Sequence, residues 1–337
     1  MRIIALVSGG ISDQILFFPT IDDIKRYYPN AQIDVVTEPR SKIAYRVSKS
    51  VSDVITFDFR DRNSLADWGN LVGTIRDREY DVAITFGQSW FISLLLWLTG
   101  IPTRVGFKGK GSGFLTHAVP LNKRQYAPFI YHDLLKGIGI NSPCPELTVN
   151  VPKSDIEWAT NEQKRLGIKD SGYVLIYGTS SESPSGFISS KEIKPLSKTN
   201  SPQIRGTDNI YPVENWVHII QAFQQKQPEM PIIVIAEPND EVFIRSIKES
   251  IPNIKVMLAD DIGKLTAIIA GANLMLCTDS APIHLSVAVQ TYTIVLFGSA
   301  EPTTLLPQSD KFLAIKSLTG KLTDIPVATV LEKVWGG

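Results

Sequence analysis

The sequence predicts an α/β protein of two domains, each a parallel sheet with helices on both faces, and three observations carry that prediction. Short, continuously apolar runs alternate with stretches of helical spacing, the pattern of strands buried on both faces. A proline-rich break interrupts the alternation near the middle. The length, 337 residues, is generous for one core and suits two of about 150–170 residues each.

In the first half "RIIALV" reads as a strand, followed by a helix over "DQILFFPTIDDIKRYYP" that Pro29 stops. "QIDVVTE" is the next strand, with a helical stretch around "SKIAYRVSKS" after it. "DVITFDF", the helix "NSLADWGNLVGTIRDRE", the strand "YDVAITFG", an apolar helix and "TRVGF" complete the series. The break falls at "INSPCPELTVNVPKSD", after which Ser154 and Glu157 have the spacing of a capping box opening a helix. The second series has strands "YVLIYG", "PIIVIAE", "IKVML", "NLMLCTD" and "TYTIVLFG". Two Rossmann-like, doubly wound domains facing across a cleft follow, over residues 1–150 and 151–337. A polar, Ser/Pro-rich insertion at 179–212 is longer than ordinary loops in compact domains.

Composition narrows the function classes. Thirty-four basic residues balance 34 acidic ones, which argues against a nucleic-acid binder. Cys144 and Cys277 form no framework or CxxC motif, so a reducing compartment is expected. None of the histidines at 117, 132, 218 and 284 stands at i, i+4 from another, so the usual helical metal pair is absent. "MRIIALVSGG" reads as a short strand rather than a signal peptide. The run "WFISLLLWLTGI" is shorter than the ~20 residues that span a bilayer. It reads as a buried helix or, alternatively, as a surface helix touching a membrane.

Ligands of open α/β sheets bind beyond the carboxyl ends of strands. "VSGGISDQ" lies at one such end, with Gly9 and Gly10 for a tight turn and Asp13 at the start of the next helix. Ser12 or Asp13 as a helix cap accounts equally well for these residues. The loop lacks G-x-G-x-x-G spacing, which excludes a nicotinamide dinucleotide despite Glu38 at the end of the second strand. "TDSAPIHLSVA" lies at another strand end. Asp279 there can accept hydrogen bonds from ligand hydroxyls, while the following helix start offers backbone N–H groups to phosphate. His284 either reaches the same space or is a core residue. A Ser280–His284 nucleophile pair has no G-x-S-x-G elbow to support it.

The stretch "LTAIIAGANLMLCTDSAPIHLSVAVQTYTIVLFGSAEP" closely resembles the C-terminal signature of glycosyltransferase family 9, the bacterial lipopolysaccharide heptosyltransferases. "GGISDQILFFPTIDDIKRYYPNAQIDVVT" is similar to that family's N-terminal Gly-x-Gly-Asp region. The resemblance implies a GT-B fold with acceptor on the first domain and nucleotide sugar on the second, and neither metal nor cofactor. By it Asp13 is the catalytic base of an inverting transfer to an envelope glycan. Gly10, Thr179, Ser180, Asp240, Glu241, Asp279, Ser280, Ala281 and His284 hold the donor, ADP-heptose or another nucleoside-diphosphate sugar. Arg60, Arg62, Lys108 and Lys110 meet an anionic lipid-linked acceptor. The location implied is cytoplasmic, with a peripheral contact at the inner membrane.

The chain departs from the family pattern in three places. Ala281 and Ser12 stand where glycines are usual, and Asn209–Ile210–Tyr211–Pro212 carries no base where many members have a Lys or Arg. Arg205, Lys191, Lys194 and Lys198 are candidates to replace it. Two other readings stay open: a GT-B nucleotide-sugar epimerase, and a non-catalytic member that binds nucleotide or glycan.

Overall fold

The computed structural model describes residues 1–59, 64–168, 172–178, 210–236 and 241–336, which form two compact units. The first contains Met1–Val149, and the second takes the described residues from Asn150 onward.

The first unit runs β1 (Arg2–Val7), α1 (Ile11–Tyr27), β2 (Gln32–Thr37), β3 (Asp53–Thr56), α2 (Leu65–Asp77) and β4 (Val82–Thr85). It continues through α3 (Trp90–Leu98), β5 (Thr103–Phe107), β6 (His117–Val119) and α4 (Ala127–His132). The six strands are parallel and ordered β3-β2-β1-β4-β5-β6. Ile4, Leu6 and Val36 pack on Leu71 and Ile75 of α2 and on Ile92, Leu95 and Leu96 of α3. Their neighbours Ile3, Ala5 and Val7 point to the other face and are equally buried. Burial on both faces is what the unbroken apolar runs encode.

The second unit comprises α5 (Lys153–Arg165), β7 (Val174–Tyr177), α6 (Val213–Lys226), β8 (Ile232–Ala236), α7 (Glu241–Ser250), β9 (Lys255–Leu258) and α8 (Ile262–Ala270). Then follow β10 (Leu274–Thr278), α9 (Pro282–Ala288), β11 (Thr293–Phe297), α10 (Pro302–Leu305), β12 (Phe312–Lys316) and α11 (Val327–Trp335). Its parallel sheet is ordered β12-β11-β10-β7-β8-β9. Trp216, Ile220 and Phe223 of α6 pack with Ile176, Val234 and Leu276 on one face. Leu175, Ile233, Met275 and Cys277 are buried on the other.

Counted from its own first strand, each sheet has the order 3-2-1-4-5-6, and the direction of winding reverses between strands one and four. Crevices form at such reversals, outside the carboxyl ends of the two strands. In the first unit that place is the end of β1 and β4. In the second, Cys277 pairs with Tyr177, so β10 and β7 end together before Asp279.

Two local expectations need correction, and α3 falls between its two readings. The helix expected to open on a Ser154 capping box starts at Lys153, with Pro152 at its N-cap and no side-chain cap. The fixed φ of Pro152, −58°, already sets the entry geometry. The stretch around residues 41–50 is helical only as a 3₁₀ segment, Pro39–Val47. The apolar helix α3 is buried on one side alone: Trp90, Trp97 and Leu98 are about half exposed, at 51%, 52% and 49%. The polar insertion lies almost wholly outside the described residues.

Candidate active site

In the first unit the chain leaves β1 at Val7 and enters α1 through Gly10, its N-cap. Asp13 stands at the third helical position and turns back, accepting the Gly10 N–H on Oδ2 at 3.0 Å. Its Oδ1 accepts the hydroxyl of Tyr131 at 2.8 Å. The capping role anticipated for this carboxylate is therefore present, and a long-range donor, 118 residues away in sequence, is added to it. Asp13 is fully buried.

The loop around it is held from several sides. Gln14 Nε2 donates to the Val7 and Gly9 carbonyls, each at 3.0 Å, and Gln14 Oε1 accepts from Tyr45 at 2.5 Å. The Ser41 hydroxyl donates to the Gly9 carbonyl at 3.0 Å. Gly9 itself lies against the acid: a Cβ added there would stand 2.0 Å from Asp13 Oδ2 and 2.5 Å from Asp13 Cβ. Tyr131 is fixed in turn, its ring centroid 5.0 Å from that of Phe86 and 6.0 Å from that of Phe17. Burial drives the Tyr131 phenol far above its ordinary range, and the charge of Asp13 adds to this. The hydroxyl thus stays protonated and donates to the carboxylate.

Gln14, Ser41, Tyr45 and Tyr131 are absent from the residues read in the sequence. Gln14 carried a usable signal, since it adjoins Asp13 and a polar residue opening an otherwise apolar helix asks for a partner. Tyr131 carried none, because α4 gives no local pattern that points to β1. Lys108 and Lys110, expected to meet an acceptor, are exposed on the connection between β5 and β6. Arg60 and Arg62 lie outside the described residues.

In the second unit β10 delivers Asp279, which is half-buried, with its N–H bonded to the Leu296 carbonyl at 3.2 Å. Ser280 and Ala281 are buried beside it. The Ser280 hydroxyl donates to the Thr278 carbonyl at 3.1 Å and is thereby committed to the turn. His284 is a residue of the interior, 1% exposed, and its Nδ1 has no partner among the described residues. Thr179, Ser180 and Asp240 lie outside the described residues, and Glu241 is described only as the first residue of α7. The proposed replacement bases Arg205, Lys191, Lys194 and Lys198 fall outside them too.

Burial lowers the His284 pKa from 6.5 to about 3. The unfolded chain takes up this proton near pH 6.5 and the folded one only near pH 3, so acid favours unfolding. The stabilisation is complete above the unfolded value and is lost progressively as pH falls toward the folded one. Between pH 7 and pH 5 this residue removes about 2 kcal/mol. Denaturant unfolding of the native chain and His284→Gln at the two pH values checks this. The variant's loss should be smaller by that amount.

The model of glycosyltransferase family 9 (heptosyltransferase) matches residues 68–334, well over half of the sequence. The chain belongs to glycosyltransferase family 9. The matched span begins within α2 and so leaves out the loop that carries Asp13.

Relatives outside that span-limited match extend over nearly the whole chain. The Escherichia coli K12 lipopolysaccharide heptosyltransferase 3 is 23% identical, over 95% of this chain and 89% of its own length. A photosynthetic NDH subunit of subcomplex B 1 from Arabidopsis thaliana chloroplasts is 24% identical, over 98% of this chain and 72% of its own. Among solved structures, E. coli heptosyltransferase WaaC with ADP-2-deoxy-2-fluoro heptose has a TM-score of 0.74 at 15% identity, covering 99% of both chains. The two parallel six-stranded sheets with their helices are thus those of the GT-B fold. This family member is a glycosyltransferase by descent, with lipopolysaccharide heptosyltransferases among its relatives.

Proposed function

We propose that the protein is an inverting glycosyltransferase that moves a heptose or similar sugar from a nucleoside-diphosphate donor to an envelope glycan. The observation that carries this reading is the Asp13 carboxylate, rigidly placed at the first sheet's winding reversal in a chain of this family. An acceptor hydroxyl oxygen attacks the anomeric carbon as the bond to the diphosphate oxygen breaks, and Asp13 takes the hydroxyl proton. Attack opposite the leaving group inverts the centre through an oxocarbenium-like state. General-base assistance of this kind is worth about 10²–10⁴-fold.

The donor is assigned to the second unit, where Asp279 accepts hydrogen bonds from its hydroxyls beside Ser280 and Ala281. That position, at the second reversal, is where open α/β sheets bind ligands. The acceptor is assigned to the first unit, with Lys108 and Lys110 as charges complementary to an anionic lipid-linked glycan. Such an acceptor places the protein peripherally at a membrane. No metal or cofactor enters this reading.

A second reading, a member that has kept binding and lost transfer, is favoured by one observation. A relative similar over 98% of this chain bears the name of a subunit of a photosynthetic complex, not of a transferase. Calorimetric titration of the native chain and Asp279→Ala with ADP, UDP and GDP tests the donor site. One nucleotide should bind, and the variant should lose about 10-fold or more, the worth of hydrogen bonds to a charged group. Failure of all three to bind overturns the donor assignment and leaves only a non-catalytic member that binds glycan.

A further inference from the structure

Asp13 is one of two fully buried carboxylates of α1 that α4 reaches. The other is Asp23, about 15 Å farther along the helix at 1.5 Å per residue. The His132 ring nitrogen Nε2 lies 2.8 Å from Asp23 Oδ2, and the Ser142 hydroxyl donates to the same oxygen at 2.5 Å. Arg26 forms an ion pair with Oδ1 at 2.5 Å. Burial alone would raise this carboxyl. The bonds from Ser142 and His132 and the charge of Arg26 reverse that and hold it below the usual carboxylate range. An ionised carboxylate only accepts, so the His132 Nε2 carries a proton and donates it to the bond.

Tyr131 and His132 are consecutive residues of α4, yet they bind opposite halves of α1, Tyr131 at Asp13 and His132 at Asp23. Neighbours in a helix point about 100° apart, which lets one short segment take hold of two distant acids.

The length of α4 makes that grip matter. It has six residues, Ala127–His132, and a helix so short does not hold its own place through internal hydrogen bonds. Its register on α1 is therefore set by side chains, and the bond nearest to Tyr131 in the chain is that of His132. The Ser142 bond fastens a later loop, beyond the 3₁₀ turn Asp133–Ile138, to the same oxygen. A buried ion pair is a weak source of net stability. What this one supplies is a fixed arrangement.

We propose that His132, held by Asp23, is a positioning residue for sugar transfer, setting the register of α4 so that the Tyr131 hydroxyl meets Asp13. The inference rests on Asp13 as the base and gives that base a support two contacts away. Without the His132–Asp23 bond α4 can slide on α1, and Asp13 loses the hydrogen bond that aims Oδ1.

His132→Leu should lower kcat about 10-fold with nucleotide affinity unchanged. His132→Gln, whose amide N–H can reach Asp23, should restore most of the loss. Ser142→Ala removes a hydrogen bond from the same buried oxygen but has no route to Tyr131, and should leave kcat unchanged. In a Tyr131→Phe background, adding His132→Leu should cost nothing further. A second readout needs no turnover. With tyrosine labelled with ¹³C at Cζ, the signal absent from Tyr131→Phe should move in His132→Leu and return in His132→Gln. His132→Asn, polar and too short to reach Asp23, replaces the leucine variant if that one fails to fold. Equal losses in Ser142→Ala and His132→Leu would make the Asp23 cluster a matter of stability and overturn the proposal. Independent losses from Tyr131→Phe and His132→Leu, or a Tyr131 signal that stays in place, overturn it equally. Loss of turnover in Asp13→Asn with none in His132→Leu overturns this inference alone. Unchanged turnover in Asp13→Asn overturns the base assignment and this inference with it.

Discussion

Asp13→Asn should reduce sugar transfer by about 10²–10⁴-fold while leaving nucleotide affinity unchanged. The variant is informative because its geometry can be kept. The Asn oxygen can accept the Gly10 N–H that Asp13 Oδ2 now accepts at 3.0 Å. Its NH₂ would meet the Tyr131 hydroxyl, which now donates to the carboxylate at 2.8 Å, and that hydroxyl can reverse its role and accept. Helix capping and the contact with α4 thus survive, and what is lost is the capacity to take a proton. Release of nucleoside diphosphate in the presence of acceptor measures the effect. Because Asp13 is fully buried, the acceptor oxygen must come within about 2.6–3.2 Å of it during turnover for the role to hold. Unchanged turnover in Asp13→Asn would reduce the residue to a cap and sink the base assignment.

What the sequence made legible follows burial. Interior strands such as β1, β4, β7 and β10 have both faces covered and appear as unbroken apolar runs. β6 and β12 were not read at all. Both lie at sheet edges, where β6 has two exposed residues among its three and β12 mixes buried with half-buried positions. Edge position alone is not the reason, since β3 and β9 are edge strands no better covered and stand out as apolar runs. β6 is only three residues long, and β12 follows a polar stretch with no helical spacing before it. The same logic left α3 open between a buried and a surface helix, since apolar spacing alone cannot tell a side that meets the core from one that meets solvent.

The site divides along the same line. Asp13 and Asp279 were legible because a carboxylate just past an apolar strand is conspicuous. The residues that fix Asp13 were not, because Ser41, Tyr45 and Tyr131 reach the loop through tertiary contacts alone. His284 was read either as reaching the site or as a core residue, and in the fold its ring is buried. A helical position one turn on can point away from the residue that precedes the helix.

Gly9→Ala should cost about 1–3 kcal/mol in stability and, by displacing the carboxylate, about 10²-fold in transfer. The added Cβ would stand 2.0 Å from Asp13 Oδ2, 2.4 Å from Cγ and 2.5 Å from Cβ, and no rotation about the Asp13 side chain moves its Cβ. Either the loop or the first turn of α1 must shift. The loop resists, since the Gly9 carbonyl is held by both Gln14 and Ser41. Asp13 is therefore the part that gives, and the Gly10 and Tyr131 hydrogen bonds lengthen with it. A double-mutant cycle separates this clash from any general effect of alanine in the loop. In Asp13→Gly all three crowding atoms are gone, so adding Gly9→Ala there should cost only a small part of what it costs in the native chain. Equal costs in the two backgrounds, measured by denaturant unfolding, would mean that Gly9 is required by the turn itself. The two glycines of "SGGISDQ" would then say nothing about Asp13. A strong coupling would mean that the small residue at position 9 is there to admit the acid, which ties the glycine of the motif to its carboxylate through one contact.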